Sequence, residues 1–430
     1  MAQASPDAPM PTRTRFALDA LNFSLADVRD GLGPYLAVYL LTVQHWDEER
    51  IGLVMSLAGL AGIAAQTPAG ALIDATHAKR LVVACAALIV TAGSLLLPVW
   101  PTFWPVALSQ AAVHATGSVF APAIAAITLG IVGHAHFAQR TGRNEAFNHA
   151  GNAFAAAAAG GAAYLWGPVA VFFIMAGMAV ASLISVLRVP ANAIDHDRAR
   201  GLHEGGADHD QPSGLRVLLT CRPLLIFAAC AVLFHFANAA MLPLVGQKLA
   251  LQDRNVGTSL MSACIGAAQI VMVPMAMLVG RKADAWGRKP LFLAGFLILP
   301  IRGVLYTLSD DPYWLVGVQL LDGVGAGLYG ALFPLIVADL MEGTGRFNIA
   351  QGAITTAQGI GAALSTTLAG FVVVRAGYSA AFLVLAAIAG AGLLLFWLAM
   401  PETLTTSDQP QPERGQAPEP RRPAVPQAAA

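Results

Sequence analysis

Twelve stretches of this 430-residue chain are apolar over roughly the 20 residues that a helix needs to cross a bilayer. They run at 20–43, 51–74, 81–100, 104–132, 143–166, 168–188, 222–247, 256–280, 290–309, 313–340, 348–374 and 378–400. Charged residues make up 12% of the chain and hydrophobic ones 56%, about half the charge that a soluble domain carries. So little charge cannot cover a surface in water, and lipid must be the solvent for most of the chain. The expected fold class is therefore an all-α membrane protein of twelve transmembrane helices. Several spans are rich in Gly and Ala, as in Ala153–Ala163. Helices in lipid are held by close packing, which small residues permit.

Charge sets the orientation. With both termini in the cytoplasm, Arg13, Arg15, Lys79, Arg80, Arg140, Arg143, Arg281, Lys282, Arg288 and Lys289 all fall on the inner side. The inverse topology would export nearly every cationic loop, against the positive-inside rule. The expected organisation is a cytoplasmic tail at 1–19, a six-helix bundle at 20–188, a cytoplasmic linker at 189–221, a second bundle at 222–402 and a Pro-rich, disordered tail at 403–430. The amino terminus lacks a short apolar core with a small-residue cleavage site, so it reads as a tail and the location as a cell inner membrane. The linker holds His196, His203 and His209 among acids, where a solvated, flexible segment is favoured over a metal site.

Several function classes fall away. Basic and acidic residues balance at 25 each, with no basic run to bind nucleic acid. The four cysteines show no paired spacing, so neither a disulfide framework nor a zinc site is expected. No phosphate-cradling G-x-x-x-x-G-K-[ST], G-x-S-x-G or H-E-x-x-H pattern occurs, so no cofactor is expected and the chain reads as no enzyme. A transport-inactive sensor or scaffold would need a large soluble partner-binding region, and the tails are short.

The two halves repeat. "GALIDATHAKR" starts at Gly70 and "GRKADAWGRKP" at Gly280, each between a second and a third span of its half. "TGR" recurs at Thr141 and Thr344, and Phe120/Pro122 is echoed by Phe333/Pro334. Such duplication builds transporters with a site between two bundles. On these landmarks the chain resembles the major facilitator superfamily over about residues 16–402. The most specific element is the loop pattern G-x-x-x-D-x-x-G-R-K/R. Its second copy matches at Gly280, Asp284, Gly287, Arg288 and Lys289. Its first keeps Gly70, Asp74, Lys79 and Arg80, with His77 and Ala78 as departures. The resemblance implies two pseudo-symmetric bundles, a monomer, and a cytoplasmic latch made by these loops. It also implies a small-molecule substrate, protons as a coupling partner and the lipid bilayer as surroundings. The fifth span lacks an early Gly-Pro pair, which sets it apart from the family's drug antiporters.

Ionisable and amide groups inside spans mark candidate pathways. Asp27, Asp30, Gly31 and Pro34 share one face of the first span. Arg302 sits mid-span and needs an acid, with Asp322 the first choice and Asp30 the second. Each carboxylate has two readings, a proton carrier or half of a fixed ion pair, and the sequence leaves both open. Asn148, with Asn144 and Asn152, and Asn238, with His235, are weaker candidates to line the pore or to bond helices together. The expected activity is proton-coupled secondary transport of a small organic solute by alternating access, with the sequence leaving import or export open and export the slightly favoured direction.

Overall fold

The computed structural model describes residues 10–29, 34–167, 169–202, 215–252 and 254–404. Among them it is helical, without a strand. Helix α1 is Thr12–Arg29, then Pro34–Thr42; α2 is Glu48–Ala75; α3 is Lys79–Leu96. Helix α4 is Phe103–Gly117, then Phe120–Val132; α5 is Phe137–Trp166; α6 is Ala170–Arg188. In the second half, α7 is Arg222–Asn238, then Met241–Gln252; α8 is Arg254–Trp286; α9 is Arg288–Leu305; α10 is Pro312–Met341. Helices α11 and α12 are the arms of Phe347–Ala399, which breaks at Gly377 with φ 82°. That left-handed backbone is open to glycine at little cost. Among the described residues, each of the twelve expected spans is thus helical over most of its length. Helices α1, α5 and α9 are the ones that carry too much polarity or too little length to rank as apolar spans by composition.

Helix α1 packs on α5 and α6, and α2 on α4; α8 packs on α10, and α7 on the α11–α12 pair. The halves meet along α5 with α8 and along α2 with α11. Glycine makes those crossings possible. A Cβ on Gly142 of α5 would lie 2.6 Å from the Gly280 Cα of α8. A Cβ on Gly70 would strike the Asn348 carbonyl, and one on Gly352 the Gln66 carbonyl. All three contacts lie toward one end, where the cationic loops also gather, here called the basic end.

Two expectations need revision. The first helix starts at Thr12, ahead of the apolar run expected at 20, so part of the expected tail at 1–19 is helix. A hydropathy reading excludes Thr12, Arg13 and Arg15, yet Asp19 is 3% exposed because two arginines neutralise it. The linker is structured over its first third: residues 190–202 form two 3-10 turns with Ala199 and Leu202 buried. The Asp195 N–H donates to the Gly130 carbonyl at 3.0 Å and the Gly343 N–H to the Gly201 carbonyl at 2.6 Å, so this strap touches both halves. His203, His209 and the tail from 405 onward lie outside the described residues.

Candidate functional site

Between the halves, toward the basic end, lies a cavity of about 240 Å³. Helices α1, α2, α4 and α5 contribute one wall and α10 and α11 the other. Six amides face it: Asn22, Gln66, Asn144, Asn148, Gln351 and Gln358. Hydroxyls come from Ser118, Thr128, Thr141, Thr355 and Tyr329, and apolar surface from Phe120 and Phe333. Glu145 is the one charged side chain among these lining residues. Its Oε2 accepts from Asn148 Nδ2 at 3.3 Å.

The polar lining is braced from behind. Asn144 Nδ2 donates to Thr128 Oγ1 at 2.8 Å and its Oδ1 accepts from Arg140 Nε at 2.8 Å. Arg140 and Arg143 both bind the Asp19 carboxylate, at 2.8 and 2.6 Å. One buried acid of α1 thus fixes two cations of α5, the arrangement that a charge deep in a bundle requires. Across the halves His149 Nδ1 meets Gln269 Oε1 at 2.9 Å; within the second half Gln358 Nε2 donates to the Tyr329 hydroxyl at 2.6 Å.

A second polar cluster lies inside the second half. Arg302, 1% exposed, pairs with Asp322 as the sequence suggested. Its other terminal nitrogen donates to Asn238 Oδ1 at 2.6 Å, and Gln319 Nε2 donates to Asp322 Oδ2 at 2.9 Å. The Tyr306 hydroxyl completes the chain by donating to Gln319 Oε1. Three candidates, Asn238, Arg302 and Asp322, are therefore one network joining α7, α9 and α10. None of them is among the cavity lining, whereas Asn148 is. Asp27 is half-buried in α1, and Asp30 lies outside the described residues.

The repeated loops behave differently. In the first copy Asp74 is 7% exposed and accepts from the Asn348 N–H (3.2 Å), Asn348 Nδ2 (2.8 Å) and the Ile349 N–H (2.9 Å). A carboxylate of α2 thereby caps the amino end of α11 in the other half, where unpaired N–H groups and the helix dipole favour an anion. Asn348 Nδ2 also donates to the Ala199 carbonyl of the strap at 2.9 Å. Arg80 donates to the Val186 and Leu187 carbonyls at the end of α6, and Lys79 to the Thr76 carbonyl at the end of α2. His77 packs edge-on against His196 of the strap, with centroids 4.8 Å apart. The departure from glycine at His77 thus supplies a contact to the strap. Burial, then the charges of Lys79 and His77, hold the His196 pKa below its ordinary value.

The second copy is bound within its own half. Arg288 pairs with Asp284 at 2.7 Å and Asp339 at 3.1 Å. Glu402, just past α12, accepts from the Arg288 and Lys289 N–H groups at 2.9 and 3.0 Å and so caps α9. Gly287, at φ 85°, takes a backbone that a side chain strains, and a Cβ there would also push on that carboxylate. Asp74→Ala is expected to loosen the basic end by roughly 1–2 kcal/mol, the worth of a lost cap. The readout is faster labelling of a Thr355→Cys probe, in a variant without native cysteines, by a reagent applied from that end.

Sequence reasoning missed Glu145, the Asp19–Arg140–Arg143 cluster and Glu402. Glu145 stands three residues before Asn148, on the polar stripe singled out in α5, and that spacing was a usable signal. Nothing local marks Glu402 as a cap for a helix more than a hundred residues earlier.

Two helical halves around one polar cavity, drawn together at one end, define a multi-pass membrane transporter. The chain belongs to the Major Facilitator Superfamily, whose family model matches residues 18–299 and 227–428. It is 61% identical over 396 residues to two Mycobacterium tuberculosis proteins, each described as an uncharacterized MFS-type transporter: MT2531 of strain CDC 1551 / Oshkosh and Rv2456c of strain ATCC 25618 / H37Rv. Those matches cover 92% of this chain and 95% of each relative. The fold is similar to that of FucP in its outward conformation (TM-score 0.69, 14% identity, 89% of this chain and 97% of that one). It is also similar to the human organic anion transporter MFSD10 (TM-score 0.66, 14% identity, 90% and 100%). The proton:xylose symporter XylE bound to 6-bromo-6-deoxy-D-glucose is a third such neighbour (TM-score 0.68, 12% identity, 91% and 96%).

Proposed function

We propose that the protein is a proton-coupled secondary transporter that exports a small organic solute across the inner membrane by alternating access. The basic end and both termini face the cytoplasm. The observation that carries this reading is the cavity, whose walls are split between the halves and whose basic side is drawn shut by the Gly142–Gly280 and Gly70–Asn348 crossings. Rocking along α5/α8 and α2/α11 would part those crossings and expose the cavity to the cytoplasm.

Coupling to protons needs a carboxylate whose partner changes between states. Asp322 is gripped by Arg302 and Gln319, which favours its reading as a fixed pair. Glu145 has a single long amide contact and faces the cavity, so it is the stronger carrier in this reading; Asp30 stays a candidate.

The test is an untargeted metabolite comparison of cells lacking and overproducing the protein, followed by everted-vesicle transport of the solute that changes. Export predicts that this solute accumulates inside the lacking strain and in the medium of the overproducer. Glu145→Gln should abolish its pH-driven movement. An unchanged metabolite profile sinks the transport reading. An unchanged pH dependence in Glu145→Gln, Asp30→Asn and Asp322→Asn sinks proton coupling.

A further inference from the structure

The lining residues carry more information than the existence of a path. We propose that the cavity takes a small organic cation, a protonated amine bearing hydroxyl or amide groups, with Glu145 as its counter-ion. This rests on the transport reading and gives it a substrate class.

The first argument is charge. Glu145 is the one acid among the lining residues, and no Lys, Arg or His is among them. The cations nearest in sequence each have a partner other than Glu145. Arg140 and Arg143 both bind Asp19, and Arg140 also holds Asn144. His149 is engaged with Gln269 on the facing α8, and Arg281 and Lys282 of α8 are exposed at the basic end. A carboxylate inside a membrane bundle is costly unless it is paired, and the amide of Asn148 at 3.3 Å cannot neutralise it. An ammonium group in the cavity does so, and an anionic solute meets repulsion instead.

The second argument is hydrogen bonding. Most of the six amides and five hydroxyls already make one bond to a neighbour or to a backbone carbonyl, and the donor and acceptor positions left over, with Gln66 and Thr141, face the cavity. A purely apolar cation would strip water from these groups without replacing it, which is unfavourable. A solute with its own hydroxyl or amide groups restores the lost bonds. Tyr329 and Phe333, stacked with centroids 6.0 Å apart, give its carbon skeleton and its charge an aromatic surface.

One carboxylate shared by a proton and an ammonium group also yields exchange. Binding of either displaces the other, so each crosses in turn, and no bond is made or broken.

The test uses three probes of one shape and different charge on the purified full-length protein in detergent: glucosamine, glucose and glucuronate. Calorimetry is expected to give glucosamine at least about tenfold tighter binding than glucose, and no saturable binding of glucuronate. Glu145→Gln should erase the preference for glucosamine, and Glu145→Asp should keep part of it. Thermal unfolding without ligand reports whether each variant is folded; if Glu145→Gln is not, the three probes on the wild type decide. Glucuronate or glucose binding as tightly as glucosamine overturns the proposal. So does glucosamine binding weaker than about 10 mM, or a folded Glu145→Gln that keeps the preference. Those results leave the transport reading to its own metabolite test, which fails separately.

Discussion

Arg302→Met, with Asp322 left in place, is expected to lower the stability of the second half by about 3–5 kcal/mol, the usual cost of breaking a buried ion pair from one side. The reason is what stays behind. Asp322 would keep only the Gln319 amide, and Asn238 would lose the partner of its carbonyl oxygen. Asp322→Asn in the same chain removes the orphaned charge and should restore most of the loss. Thermal unfolding of the purified single and double variants measures both. If the single variant unfolds with the wild type, the Asn238–Arg302–Asp322 network is not a fastening of α7, α9 and α10. Proton-driven transport that survives in the stable double variant would place Asp322 on the structural side of the two roles the sequence left open.

Gly142→Val is expected to hold the basic end apart and stop turnover. A Cβ at this position would sit 2.5 Å from the Ala276 carbonyl and 2.6 Å from two Gly280 backbone atoms, so no side-chain rotation relieves it. Overpacking of that kind costs roughly 1–3 kcal/mol or more, enough to invert a two-state population. Spin labels at Ala75 and Lys282, one on each half, should report a longer separation. Gly160→Val, at a position with nothing within 4 Å of its Cβ, is the matched control and should leave that separation unchanged. An unchanged distance in Gly142→Val would mean that the α5–α8 crossing does not set the state.

Much of the architecture could be read from the chain. A period of apolar runs reports helices in lipid, because lipid offers the backbone no partner and a long apolar run must then close its hydrogen bonds within itself. The Arg302–Asp322 pair was legible for a related reason: an arginine that cannot lose its proton must find an acid, and few were within reach. What escaped the reading depends on contacts far apart in sequence. Asp19 looked like tail because its cost is cancelled by Arg140 and Arg143 over a hundred residues later. Residues 190–202 looked like solvent-exposed linker, since short 3-10 turns leave no periodic pattern. In the loop copy that matches the family pattern better, Gly280–Lys289, the charged side chains bind within their own half. The copy with the departures at His77 and Ala78 is the one whose acid reaches across. Pattern strength reports local geometry, and which partner a carboxylate finds is settled by packing.

Glu402 has a bearing on how the chain is made. Helix α9 emerges from the ribosome long before residue 402, so its first amide hydrogens wait unanswered while three more helices are threaded into the bilayer. Only after α12 has followed can Glu402 answer them, so the cap of α9 forms once the second bundle is complete. A chain cut short before Glu402 would insert all its membrane segments and still leave one of them without its stopper.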